Sequence, residues 1–87
     1  MNEPLDFNQS GAVILQATAL NAQGRNDEAI ALIQRHIQEI DPDVRFNALK
    51  EVLRAAEAKG DTKLCQIIAR EIAKEFPDMA SIQPYLT

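Results

Sequence analysis

The chain has 87 residues, 46% of them hydrophobic and 25% charged, with a net charge of −4. That length makes one domain, near the lower limit for burying a useful core unaided, and the charged fraction argues against disorder. An acidic chain without a basic cluster excludes phosphate-backbone binding as its main task, so no nucleic-acid partner is expected.

The aromatic content is low, with three Phe, one Tyr and no Trp. The core must therefore be aliphatic. One cysteine, Cys65, cannot form an internal disulfide, which fits a reducing compartment. The first residues carry Glu3 and Asp6 rather than Lys or Arg, so no secretory leader is read there. Ala12–Leu20 is too short to span a bilayer. These features predict a cytoplasmic protein without membrane insertion.

Residues 1–10 contain Pro4 and read as an irregular lead-in. Ser10 is the predicted N-cap of a first helix, about Gly11 to Gln23, closed by Gly24 in the left-handed conformation. Asn26 or Asp27 then caps a second helix, with Asp27 and Glu28 adding negative charge to its first turn. Its stripe is Ala29, Ile30, Ile33, Ile37 and Ile40, at three- and four-residue spacing. Asp41 is placed to cap a third helix, with Pro42 at its first position, where the missing N–H costs nothing. Phe46, Leu49, Val52, Leu53 and Ala56 form the apolar face of that helix, and Gly60 ends it. Asp61 or Thr62 starts a fourth, carrying Leu64, Ile68, Ile72 and Phe76 with Cys65, Ala69 and Ala73 alongside. Pro77 follows. Met79, Ile82 and Leu86 then offer a short capping segment that Pro84 keeps to about two turns. No stretch alternates as a strand would, so the fold class is all-α: 11–43 forms one helical hairpin, 44–77 a second, and 78–87 a cap or tail.

The two hairpins repeat each other. Gly24 and Gly60 lie 36 residues apart, and Pro42 and Pro77 lie 35 apart. With Gly24 followed by Asn26-Asp27-Glu28-Ala29-Ile30, with Asp41-Pro42 closing the first unit, and with Gly60-Asp61 and Pro77 in the second, the chain resembles the tetratricopeptide repeat family, whose period is 34 residues. The family's aromatic residues are replaced by Val13 or Ile14 and by Leu49. Ala17 and Ala55 or Ala56 supply the small residues that permit close helix approach. The resemblance implies two antiparallel helix pairs in a right-handed stack. It also implies a protein-binding function, with the first helix of each pair lining a concave surface.

Candidate chemistry is sparse. His36 is the only histidine, with no second ligand at metal spacing, and Cys65 has apolar neighbours rather than a base. The three glycines are isolated and form no phosphate loop. No catalytic, cofactor or metal residues are therefore assigned, and no enzyme is expected.

Binding has better candidates. The first helix is apolar on nearly every side, where a surface helix should show one stripe. Ile14, Leu15 and Thr18 would face the groove, and they need a cover: Leu5 and Phe7 folding back, a second copy, or a partner helix. On the third helix Asn47, Lys50 and Arg54 would share that side. Lys50 and Arg54 make a small positive site for a carboxylate, loosely similar to the clamp by which some family members hold the C-terminal peptides of heat-shock chaperones. That clamp draws on about three repeats, and Arg54 can pair instead with Glu51 or Glu57.

These residues predict a non-catalytic module, a small bacterial-type adaptor or assembly protein that binds a peptide or helix in its groove. A homodimer is a possible partner state. Two alternatives remain. One is an acidic inhibitor or immunity-type protein that blocks a basic target, steered by a first half (1–43) carrying two bases against seven acids. The other is a self-associating structural subunit.

Overall fold

A computed structural model describes residues 3–86. The first two residues of the lead-in and the last residue of the tail lie outside this range. The described chain is all-helical: α1 (Phe7–Ala22), α2 (Asn26–His36), α3 (Arg45–Lys59), α4 (Thr62–Ala73) and a 3-10 helix, Ala80–Tyr85. Each helix packs on its successor, and α3 also packs on α1. The result is two hairpins, α1–α2 and α3–α4, stacked through α3.

The glycines close both first helices in the same way. Gly24 and Gly60 have φ of 76° and 72°, a region that side chains with a Cβ rarely enter. After α1, Arg25 N–H donates to Leu20 O at 2.9 Å and Gly24 N–H to Asn21 O at 3.0 Å. After α3, Asp61 N–H donates to Ala56 O at 2.9 Å and Gly60 N–H to Glu57 O at 3.1 Å. This paired closure satisfies carbonyls that the helix leaves open and turns the chain back on itself. The repeat seen in the sequence is thus a repeated stop signal.

The N-termini depart from expectation. Ser10 does not cap α1, and the lead-in is shorter than 1–10. Asp6 is the cap. Its carboxylate accepts from Gln9 N–H at 2.7 Å, while Gln9 Oε1 accepts from Asp6 N–H at 3.0 Å. This reciprocal box satisfies two orphan donors and outcompetes a lone serine. Ser10 is instead buried inside α1, where its hydroxyl accepts from Asp41 N–H at 2.8 Å.

Neither Asn26 nor Asp27 caps α2. Arg25 takes the cap position without a side-chain bond, and Asn26 is the first helical residue. Asp27 is drawn to Lys59 on α3, and Glu28 pairs with Arg25 through Arg25 Nε at 2.9 Å. Asp41 does not cap α3, nor is Pro42 its first residue. Asp41 Oδ1 accepts from Asp43 N–H at 2.9 Å, a local turn that consumes the carboxylate before α3 begins at Arg45. The cap of α4 is Asp61, as expected, accepting from Leu64 N–H at 3.1 Å.

The core is aliphatic. Ile33, Ile40, Val52, Ile72 and Ile82 are its largest fully buried hydrophobic side chains, with Cys65 among them. Ala17, Ala48, Ala55 and Ala56 are fully buried, so α3 approaches its neighbours closely at the price of little side-chain entropy. Phe76 breaks from the expected stripe. Because α4 ends at Ala73, Phe76 lies in the following turn, 42% exposed, with its ring 4.6 Å from that of Phe46. The tail behaves as a cap. Ile82 is fully buried, and Met79, Tyr85 and Leu86 pack against the core beside it.

Candidate functional site

The face shared by α1 and α3 is fixed by one buried polar link. Asn21 Nδ2 donates to Glu51 O and to Glu51 Oε1, both at 3.0 Å. Asn26 Nδ2 in turn donates to Asn21 Oδ1 at 3.0 Å. Glu51 is only 8% exposed, so its carboxylate depends on these partners to offset lost hydration. Arg54 Nη1 stands 3.9 Å from Glu51 Oε2. Helices α1, α2 and α3 therefore share a hydrogen-bonded seam at one end of the α1–α3 face. The sequence pattern hides Asn21: it looks like a polar residue near a helix end, and only the packing of α1 on α3 gives it a role.

Helical phase places the rest. Asn21, Thr18 and Ile14 lie along the flank of α1 that borders α3, with Gly11 and Leu15 next outward. Ile14 is half-buried and packs on the core. Thr18 is half-buried too, its hydroxyl donating to Ile14 O at 3.0 Å. Leu15 is 70% exposed and Phe7 60%. Helix α1 contains no Asp, Glu, Lys or Arg along its 16 residues. Of the covers considered for it, the N-terminal segment supplies only part. Leu5 N–H donates to Glu39 O at 2.7 Å and Leu5 packs on the core, but Phe7 belongs to α1 itself and Leu15 stays bare.

On α3, Asn47, Lys50 and Arg54 are all exposed along its outer face. Lys50 and Arg54 do not converge as a clamp. Lys50 Nζ sits 5.4 Å from the centroid of the Phe46 ring, a cation–π contact, whereas Arg54 leans the other way, toward Glu51. Arg54 thus lies on the side of Glu51, which contacts α1 through Asn21, and Lys50 borders the aromatic pair. No hydrogen bond, ion pair or ring contact links the three expected residues of α1 to the three of α3 among the described residues, and they form no compact pocket.

Burial, the largest cause, pushes the Cys65 thiol above its ordinary range, which disfavours the nucleophilic thiolate. Among the described residues no group of three or more His, Cys, Asp or Glu could hold a metal ion, and no helix is long and apolar enough to cross a membrane. At the far end of α3, Tyr85 O–H donates to Glu57 Oε2 at 2.7 Å. No known protein family, curated protein or solved structure matches the chain.

Proposed function

We propose that this protein is a non-catalytic interaction module, an adaptor of tetratricopeptide-like design, that takes a peptide or helix on the α1–α3 face. The observation that carries this reading is the charge-free α1 with Leu15 and Phe7 open to solvent. A small domain gains nothing in stability from leaving such side chains bare, and a binding partner gives them burial. Leu15 and Thr18 supply the less polar side of the face, and Asn47 and Arg54 supply its polar side. A partner with apolar anchors along one edge and a carboxylate near Arg54 matches that division.

The test is photo-crosslinking in the native cell. With a crosslinking residue at position 15, one defined protein adduct is expected. The same residue at position 63, on the exposed start of α4, should give none. Equal labelling at both positions, or none at 15, would contradict the proposal.

A further inference from the structure

The two ends of the hairpin stack are unequal. Beyond α4 the 3-10 helix closes the core with Ile82, which is fully buried. Among the described residues, the outer face of the α1–α2 hairpin has no such cover. Between α1 and α2 it holds an open groove of about 430 Å³ whose apolar lining is Leu20, Ala31 and Leu32, with Arg25 at the turn. Gln16 lines the α1 wall, while Glu28 and Arg35 stand on α2.

The spacing on α2 is self-complementary. Glu28, Ala31, Leu32 and Arg35 follow one helix face, with Ala31–Leu32 in the middle and opposite charges four residues outward from Leu32 in one direction and four from Ala31 in the other. Laid antiparallel on itself about that midpoint, this face puts Glu28 of one chain opposite Arg35 of its partner, and the reverse pair follows by symmetry. That reciprocity is what a two-fold interface requires. Glu28 already holds Arg25, whose hydrogen bond is the largest cause of a carboxyl held below its usual range. Arg35 makes no ion pair with any described residue. The α1 wall brings no charge that would have to be stripped of water.

We infer that the outer α1–α2 face is a homodimer interface, packed on the same face of a second copy, with Ala31 and Leu32 of one chain against Leu32 and Ala31 of the other and Glu28–Arg35 pairs closing both ends. The stability of stacked hairpins also favours this occupant. Such stacks generally need three or more units for a continuous core. Two copies joined at their open ends provide four, with an Ile82 cap at each outer end. The surface is distinct from the α1–α3 face, which stays open in the pair.

Sedimentation equilibrium of the full chain tests the inference. The wild type should show a concentration-dependent monomer–dimer equilibrium. Arg35→Glu sets like charges against each other and should weaken the dimer about tenfold or more, as should Glu28→Arg. The double variant Glu28→Arg/Arg35→Glu restores both intermolecular pairs, although it also removes the Arg25–Glu28 pair, and should dimerise at least about threefold more tightly than either single variant. Unchanged far-ultraviolet circular dichroism would confirm that each variant is folded. Leu15→Glu should leave the dimer intact. A chain monomeric at every concentration, a dimer indifferent to Arg35→Glu, or a double variant no tighter than the single ones would overturn the inference.

Discussion

At the scale of single residues, the most consequential side chain is Asn21. Its amide joins α1 to the backbone and carboxylate of Glu51 on α3 and accepts from Asn26 on α2. Truncation leaves a buried carboxylate short of a donor, which costs more than the net value of an ordinary hydrogen bond. Asn21→Ala should therefore lower stability by about 1–3 kcal/mol in denaturant unfolding. Asn8→Ala, on the exposed side of the same helix, should change it by less than about 0.5 kcal/mol. Equal effects would contradict a structural seam at Asn21. Glu51 belongs to the same argument. It was legible as a partner for Arg54, but its deeper commitment to Asn21 depends on a contact 30 residues away in sequence.

At the scale of elements, sequence signals worked where they were local and exclusive. Glycine at 24 and 60 read as left-handed closure because few other residues tolerate that backbone. The four helices followed from apolar spacing. Caps were less legible, since several residues compete for the same orphan donors. Asp6 defeated Ser10 through its pairing with Gln9, and Asp41 spent its carboxylate on a turn. The aromatic contact of Phe46 with Phe76 was also hidden, because α4 stops three residues before Phe76.

The C-terminal cap makes its own prediction. Ile82 is buried at the end of the stack, so Ile82→Ala should destabilise by about 2–5 kcal/mol in thermal or denaturant melts. A loss under about 1 kcal/mol would mean that the cap does not close the core. Its docking also carries a pH signature. The hydrogen bond to Glu57, as the largest cause, with burial and the Glu57 charge acting in the same sense, raises the Tyr85 pKa above the ordinary phenol value of 10. A raised folded-state value means that this contribution is complete below the unfolded tyrosine range and is lost as pH climbs through the folded value. As the only tyrosine, Tyr85 can be followed by tyrosinate absorbance. Its midpoint should lie above 10 in the wild type and fall toward 10 in Glu57→Gln. A midpoint at the ordinary value in the wild type would show that the cap is not docked through Glu57.

At the scale of the whole molecule, the two hairpins divide the work. The first supplies a charge-free helix and carries a net negative charge, and the second supplies Asn47, Lys50 and Arg54. The proposed binding face depends on their stacking, which packs α1 on α3. Lys50 turns to Phe46 and Arg54 to Glu51, so under the proposed function apolar burial rather than a paired cationic clamp dominates recognition. That order of importance is open to direct measurement. Once the protein crosslinked through position 15 is identified, calorimetric titration should compare the wild type with Leu15→Glu. The account predicts that Leu15→Glu binds at least about tenfold more weakly while its helical signal is unchanged. Equal affinity for the two proteins would contradict it.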